Sequence, residues 1–157
     1  HDLFDWMTVE KNIRIVNQDP AVVRRCLALG KLDRFVTAYP SSLSGGLKKR
    51  LSLVRALAAN PDFLILDEPF SSLDPVTKHE LQVEFSKLIA LTKKTTLLVT
   101  HDIEEAVLLS DRLLVLGGTP AKILVEIIID KPRSRQRYYR NKALFSKIRK
   151  KVLRHLM

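Results

Sequence analysis

The spacing of the apolar residues changes near residue 60 of the chain. Before that point they recur every three or four positions, which is the repeat of a helix with one buried face. This repeat predicts a helical part over residues 1–59. Its helices are predicted at Thr8–Val16, Ala21–Leu29, Leu32–Ala38 and, after Ser44 as N-cap, up to Asn60.

After residue 60 the apolar residues form short continuous runs, which are typical of strands buried on both faces of a sheet. Helical segments are predicted between the first three runs, and this alternation favours a parallel sheet of the α/β class. Residues 60–130 are therefore assigned to an α/β part and residues 131–157 to a basic helical tail. Strands are predicted at Phe63–Leu66, Thr95–Val99, Arg112–Leu116 and, at an edge, Lys122–Asp130, with helices at Pro75–Leu91 and Ile103–Leu109.

The composition is that of a folded protein, since 46% of the 157 residues are hydrophobic and 28% are charged. No apolar run approaches the roughly 20 residues that cross a bilayer. Cys26 is the only cysteine, so no disulfide can form within the chain, which favours a reducing compartment. The net charge of +10 comes from residues 131–157, which carry 11 Lys and Arg and no acid. A basic tail is weaker evidence for nucleic-acid binding than a basic face along a domain, so no nucleic-acid partner is expected.

Two adjacent carboxylates, Asp67 and Glu68, follow the first predicted strand. Ligands of open α/β sheets gather at the carboxyl ends of the strands. An Asp at such a position can hold Mg²⁺, and a neighbouring Glu can polarise an attacking water. The alternative is that both residues only end the strand and begin the turn at Pro69. The pair alone does not decide between these two interpretations.

Ser44, Gly45 and Gly46 open the longest helix of the helical part. The glycines lack side chains and let a ligand approach the backbone, and the N–H groups at a helix start attract an anion. The alternative is an ordinary N-cap with a flexible entry. For an isolated Ser-Gly-Gly that alternative is favoured.

Three runs taken together resemble one known family. They are LSGGLKKR at Leu43–Arg50, FLILDEP at Phe63–Pro69 and VTHD at Val99–Asp102, and they resemble the C-terminal two-thirds of the ATPase subunits of ABC transporters. The resemblance covers nearly all of residues 4–130. It implies a P-loop NTPase-like parallel sheet with a helical signature subdomain, and ATP and Mg²⁺ as cofactors.

The resemblance also implies roles for single residues. Ser72, Leu73 and Asp74 resemble the D-loop, which lies across the dimer interface in the family. The implied roles are ATP binding by Ser44, Gly45, Gly46, Lys48 and Asp74, Mg²⁺ binding by Asp67, orientation and deprotonation of water by Glu68, and stabilisation of the γ-phosphate by His101.

Two features depart from the family pattern. The glycines stand only at positions 30, 45, 46, 117 and 118, so the chain holds no GxxxxGK[ST] P-loop. Trp6, Thr8, Val9 and Asn12 resemble the segment W-x-T-V-x-x-N that follows the Q-loop glutamine of importers, so the chain is expected to lack the N-terminal P-loop portion and to be inactive alone. Leu47 replaces the usual Gln after Ser-Gly-Gly, and Lys48 is the candidate to supply charge to the nucleotide instead.

The resemblance is strongest to importer subunits for nitrate, sulfonate or taurine-like anions. It implies a peripheral position on the cytoplasmic face of the cell membrane. The implied partners are transmembrane permease subunits, a second ATPase subunit in a dimer and, indirectly, a solute-binding protein. The alternative is a non-catalytic ABC-like binding or regulatory module that docks to a membrane or nucleic acid through its basic tail, although Glu68 and His101 speak against a degenerate enzyme.

Two apolar clusters are candidate contact surfaces. Phe4, Trp6 and Met7 are expected to meet the permease, because similar importers hold a coupling helix in this region; plain core packing is the alternative. The tail is predicted to form a basic amphipathic helix, and packing of its apolar stripe on the α/β part is favoured over binding to a membrane surface. That stripe consists of Leu144, Phe145, Ile148, Val152 and Leu156.

Overall fold

The computed structural model describes residues 3–71, 73–129 and 142–156 of the chain. Its contacts divide the chain into two compact units, the first from His1 to Leu97 and the second from Leu98 to Met157. Among the described residues, no helix combines the length and the apolar composition needed to cross a membrane. The functional division into residues 1–59, 60–130 and 131–157 stays a prediction, because compactness alone does not separate functional parts.

Three helices open the first unit, and the predictions for them are confirmed apart from their ends. They are α1 (Val9–Arg14), α2 (Pro20–Leu29) and α3 (Gly45–Ala58). Each begins after a polar N-cap whose side chain accepts a hydrogen bond from an amide of the first turn. The three caps are Thr8, Asp19 and Ser44.

The helix predicted over Leu32–Ala38 is wrong in length, because the segment contains only a 3-10 turn at Asp33–Phe35. Lys31, directly before it, has a left-handed backbone with φ of 55°. Pro40, soon after it, starts a second 3-10 turn. These two breaks leave room for little more than one turn of helix.

Apolar side chains from the three helices and the following turn pack into one core. Val9, Ile13, Leu32 and Leu51 are completely buried, and Cys26 is 5% exposed. Burying one such aliphatic side chain contributes about 1.5–3 kcal/mol relative to leaving it in water. Burial also raises the pKa of the Cys26 thiol above its ordinary value, against a smaller lowering by the positive charge of Arg25.

The first unit continues with β1 (Phe63–Asp67) and α4 (Pro75–Thr92), and it ends within β2 (Thr95–Val99). The strands β1 and β2 form a two-stranded parallel sheet. Parallel strands need a long crossover connection, and the 18-residue helix α4 supplies it. The predicted α/β fold class is confirmed by this strand–helix–strand unit.

The prediction that these strands are buried on both faces is wrong for the described residues. In β1, Leu64 is 5% exposed, whereas Phe63 is 49% and Ile65 is 64% exposed. Leu97 in β2 is 44% exposed. The reason is that this sheet has only two strands and packs through one face, so alternate apolar side chains face outward.

The second unit contains α5 (Ile103–Leu109), β3 (Arg112–Gly117) and β4 (Lys122–Ile128). The strands β3 and β4 pair antiparallel, with Leu113 opposite Ile127, and form their own two-stranded sheet. The expectation that β3 continues the parallel sheet is therefore wrong for the described pairing. The short turn after Gly117 accounts for the antiparallel pairing of β3 with β4, since parallel pairing needs a connection of a dozen or more residues.

The last helix, α6 (Lys142–Leu156), packs within the second unit. Its Ile148 is 7% and its Val152 is 3% exposed, and both belong to one cluster with side chains of α5, β3 and β4. The prediction that the apolar stripe packs against a protein core is confirmed at these positions. The side chains of Leu144 and Leu156 lie outside the described residues. Among the described side chains of α6, the exposed Lys and Arg residues are Lys147, Arg149, Lys150, Lys151 and Arg154.

Candidate functional site

The turn from Ser44 to Gly46 forms the start of α3. Ser44 has an extended backbone, and its Oγ accepts a hydrogen bond from the amide of Leu47 at 3.4 Å. Its carbonyl accepts a second one from the amide of Lys48 at 3.0 Å. Ser44 and Gly45 are exposed, so the start of α3 is accessible to a ligand. Their position at the N-terminus of a 14-residue helix favours an anion.

The two glycines of this turn serve different purposes. A Cβ on Gly45 would meet the side chain of Leu73 at an ordinary 3.6 Å, so this position has space. A Cβ on Gly46 would come within 2.9 Å of Cγ2 of Thr77 on α4. Gly46 is buried and lets α3 and α4 approach each other closely, which is a packing role that the sequence does not reveal.

Leu47, which departs from the family pattern, is half-buried and packs against the core of the three helices. Its side chain therefore points toward the protein interior. Lys48, the neighbouring residue, is half-exposed. This arrangement agrees with the expectation that Leu47 makes no contact with a nucleotide.

Asp67 and Glu68 lie at the carboxyl end of β1. Asp67 is exposed and is the last residue of the strand. Glu68 is half-buried and has a left-handed backbone with φ of 46°, which is uncommon for a residue with a long side chain. Such a conformation persists only where the surrounding structure enforces it.

The turn after Glu68 is fixed at two points. The Glu68 carbonyl accepts hydrogen bonds from the amide of Ser71 at 3.2 Å and from its Oγ at 2.8 Å. Phe70 is 4% exposed and makes an edge-to-face contact with Phe85 of α4, with ring centroids 5.5 Å apart. The buried Phe70 and the two hydrogen bonds together hold the unusual backbone of Glu68.

Asp74 is the N-cap of α4, and its Oδ1 accepts a hydrogen bond from the amide of Thr77 at 3.0 Å. Hydrogen bonds from Thr77, first from its hydroxyl and then from its amide, hold the pKa of Asp74 below its ordinary value of 3.8. Asp74 is exposed and therefore charged at neutral pH. Ser72, the first residue of the D-loop resemblance, lies outside the described residues.

The aromatic segment near the start of the chain is held by one buried amide. The Asn12 side chain is completely buried; its Oδ1 accepts a hydrogen bond from the Phe4 amide at 2.9 Å. Its Nδ2 donates to the carbonyls of Phe4, Met7 and Thr8, each at 3.1 Å. Trp6 packs edge-on against Phe4 but remains 71% exposed, so core packing does not account for its position.

A cavity of about 440 Å³ lies within the first unit, bounded by α3, β1 and α4. Its lining includes Ile65, Asp67 and Arg55. The Arg55 guanidinium lies 5.3 Å from the ring centroid of Phe4, and its Nη1 is buried without a hydrogen-bond partner among the described residues. An unsatisfied buried donor is costly to the fold.

His101 belongs to the second unit, where it is exposed directly after Thr100. The hydroxyl of Thr100 accepts a hydrogen bond from the Asp102 amide at 3.0 Å. Asp102 in turn caps α5, because its Oδ1 accepts from the amides of Glu104 at 2.8 Å and Glu105 at 3.2 Å. These contacts fix the backbone on the C-terminal side of His101.

The predicted residues are thus brought together in part. Gly46 lies against the first turn of the helix that Asp74 caps, and Asp67 adjoins Glu68 in the same unit. Among the described residues no group of three or more His, Cys, Asp or Glu side chains forms a metal cluster. The exposed carboxylate of Asp67 still suits Mg²⁺, which proteins commonly bind through one or two carboxylates together with water and phosphate oxygens.

Comparisons with known proteins agree with the motifs. The family model described as ABC transporter matches residues 1–71. The chain is 39% identical over 160 residues to the aliphatic sulfonates import ATP-binding protein SsuB of Bacillus cereus, covering 98% of this chain and 62% of that protein. It is 41% identical over 138 residues to the choline transport ATP-binding protein OpuBA of Bacillus subtilis, covering 78% of this chain and 36% of that protein.

A solved structure is similar as well. It is a dimeric, post-hydrolysis state of the ATP-binding cassette MJ0796 bound to ADP and Pi, with a TM-score of 0.65 and 27% identity, covering 83% of this chain and 60% of that one. The chain thus spans about three-fifths of the length of the sulfonate-import relatives that it matches. The motifs, the family model over residues 1–71 and this fold are all similar to those of ABC transporter ATP-binding domains.

Proposed function

We propose that residues 1–157 form the signature and catalytic part of the ATP-hydrolysing subunit of an ABC importer. The observation that carries the proposal is the position of Glu68, a carboxylate held in a left-handed backbone at the end of β1. Ser71 and Phe70 fix this backbone, which is the rigidity that a residue orienting a water molecule requires. The sulfonate and choline relatives, both named as import or transport ATP-binding proteins, support the same function.

The proposed chemistry is mostly positioning and charge stabilisation. Glu68 orients the attacking water and accepts its proton. Asp67 would hold Mg²⁺, which would supply positive charge against the negative charge of the phosphates. His101 donates a hydrogen bond to the γ-phosphate, and its exposure after Thr100 leaves the ring accessible.

Ser44, Gly45, Gly46, Lys48 and Asp74 act on the ATP that is bound by a second subunit. The open start of α3 supports this role, since it presents amides and a helix dipole to an anion. Such a contact is worth only about 0.3–1 kcal/mol at an exposed site. Millimolar binding needs about 4 kcal/mol, so the chain alone is proposed to bind ATP weakly and not to hydrolyse it.

The proposed partners are transmembrane permease subunits and, indirectly, a solute-binding protein, and the proposed location is the cytoplasmic face of the membrane. Trp6 is the proposed permease contact because it is exposed although large and apolar. The transported solute is proposed to be a small anion such as nitrate, a sulfonate or taurine. The sulfonate-import relative matches 98% of this chain and the choline relative 78%, which favours this class over choline.

The alternative function, a non-catalytic module that docks through its basic tail, has one supporting observation. Five Lys and Arg residues are exposed among the side chains of α6 that the structure describes, and the sequence of this helix contains no acid. However, Ile148 and Val152 on the apolar face of α6 are buried in the core of the second unit, so these side chains are not available to insert into a membrane.

The test uses a full-length protein, meaning residues 1–157 preceded by their own upstream segment or by that of the Bacillus cereus relative. We expect Mg²⁺-dependent ATP hydrolysis that Glu68→Gln reduces by at least about a hundredfold, while ATP binding persists, because only the group acting on water is lost. Glu104→Gln, an exposed carboxylate on α5, is the matched control and should retain activity. Equal activity of Glu68→Gln and Glu104→Gln would contradict the catalytic role.

A further inference from the structure

One carboxylate on α4 links two other parts of the first unit. Glu84 forms an ion pair through Oε2 with Nη2 of Arg50 on α3 at 2.9 Å, and another through Oε1 with Nζ of Lys31. The Arg50 side chain is 19% and the Glu84 side chain 28% exposed, whereas the Lys31 side chain is 66% exposed. The pair with Arg50 is therefore the better shielded one, since exposed ion pairs are screened by water and salt.

The ion pair continues a close contact between the starts of the two helices. A Cβ on Gly46 would lie 2.9 Å from Thr77 and 3.6 Å from Leu81. Arg50 follows Gly46 by one helical turn, and Glu84 follows Leu81 by about one turn. The two contacts thus run in the same order along both helices, so α3 and α4 lie side by side in the same direction and their N-caps, Ser44 and Asp74, lie at the same end.

The same helix α4 also supports the turn after Glu68. Phe85, the neighbour of Glu84, is 5% exposed and packs edge-on against Phe70. Displacement of α3 against α4 would therefore move the Ser44–Gly46 turn relative to both Asp74 and Glu68. Two contacts beyond the N-caps resist such a displacement. They are the ion pair between Arg50 and Glu84 and the packing of the buried Leu81.

We propose that Glu84, through Arg50, is a positioning residue that fixes the Ser44–Gly46 turn relative to Asp74 and Glu68. The inference rests on the proposed function, since these are the residues that act on ATP there. The turn contacts the nucleotide of the other subunit, so a small displacement weakens contacts in the transition state and leaves binding in the subunit's own site intact. Misplacement of this kind lowers kcat and leaves KM nearly unchanged.

The test compares two carboxylates of α4 in the full-length protein. Glu84→Gln removes the charge and keeps the shape, and Glu80→Gln is the matched control because Glu80 is exposed on the same helix. Glu84→Gln should lower kcat about five- to tenfold with less than about a twofold change in KM for ATP. Arg50→Gln should have the same effect, and the double variant should lose no more than either single one, because both remove one interaction.

A second readout is independent of activity. In Glu84→Gln, the amides from Leu47 to Arg50 should exchange hydrogen at least about fivefold faster than in the unaltered protein, whereas Glu80→Gln leaves them unchanged. Lys31→Gln, which removes only the exposed partner, should change exchange and kcat by less than about twofold. If the unaltered full-length protein does not hydrolyse ATP, the proposed function is contradicted. The hydrogen-exchange comparison still decides whether Glu84 positions the start of α3.

The proposal is overturned if Glu84→Gln and Glu80→Gln show equal exchange at the start of α3. Additive losses of kcat in the double variant, or a rise of KM that accounts for the whole loss, would overturn it as well. A general loss of stability is recognised by faster exchange throughout the core, including Val9 and Leu51, rather than at α3 alone.

Discussion

At the scale of the residue, Glu68 directly follows β1 and has a left-handed backbone that the buried Phe70 helps to hold. The carboxylates Asp67 and Glu68 were identified by their place after an apolar run, and they do lie at the end of β1. The left-handed backbone of Glu68 could not be predicted, because it depends on the burial of Phe70 against Phe85, which is 15 residues away. Gly46 is a similar case, because a side chain is excluded there by Thr77, which lies on another helix.

Trp6 carries a prediction at this scale. Its ring is 71% exposed while its loop is held by the buried Asn12, so replacing Trp6 should remove a contact surface without unfolding the loop. In the full-length subunit, Trp6→Ala should weaken assembly with the permease by about tenfold or more, which is the usual effect of losing one central aromatic contact. Trp6→Phe is the conservative control. Unchanged assembly and unchanged coupled ATPase activity of Trp6→Ala would refute the docking role.

Asp74 gives a pH-dependent prediction. Its pKa is lowered in the folded state by hydrogen bonds from Thr77, so its charged form stabilises the fold above the ordinary pKa of 3.8, and this contribution is lost as pH falls through the lowered folded value. The unfolding free energy of Asp74→Ala should therefore be lower than that of the unaltered protein at pH 7. The two values should converge as pH falls below the pKa that Asp74 has in the folded state. Chemical denaturation from pH 7 to pH 2 measures this; a difference that grows on acidification has the wrong sign.

At the scale of the element, apolar periodicity predicts most helices and strands, and pairing partners are its weak point. The helix α3 was recognised from Leu47, Leu51 and Val54, and its N-cap Ser44 is where the pattern places it. Strands β3 and β4 were both predicted, but their pairing in a separate antiparallel sheet was not, because an apolar run does not specify which strand lies beside it.

Helix α6 carries the prediction at this scale. Ile148 is 7% exposed in the core of the second unit, so Ile148→Ala should lower the free energy of unfolding by about 2–4 kcal/mol, the usual cost of truncating a buried aliphatic side chain. Lys150→Ala, an exposed position on the same helix, should change it by less than about 0.5 kcal/mol. Thermal or denaturant unfolding followed in the second unit provides the measurement.

The competing use of α6, adsorption to a membrane, is tested on the same helix. If the apolar face serves only the core, sedimentation with anionic vesicles should be weak and should not require residues 141–157. Salt-sensitive sedimentation that disappears when these residues are deleted would contradict the packing interpretation. The buried Val152 favours packing.

At the scale of the whole molecule, the motifs predicted the family because three of them occur at the spacing that the family requires. The prediction extended to what the chain does not contain, since its five glycines cannot form a P-loop. The structure adds the exposed Ile65 on β1, the cavity beside it and Nη1 of Arg55, which is buried without a hydrogen-bond partner among the described residues. None of these could be predicted from periodicity, because each depends on which neighbours a side chain has in three dimensions.

The most direct measurement is phosphate release from ATP by purified residues 1–157, compared with the full-length protein under the same Mg²⁺ concentration. The account predicts no turnover by residues 1–157, because one helix start supplies about 0.3–1 kcal/mol against the charge of a triphosphate. It predicts Mg²⁺-dependent turnover by the full-length protein, abolished by Glu68→Gln. Steady phosphate release by residues 1–157 that is lost on Glu68→Gln would contradict the account, because the described residues would then suffice for catalysis.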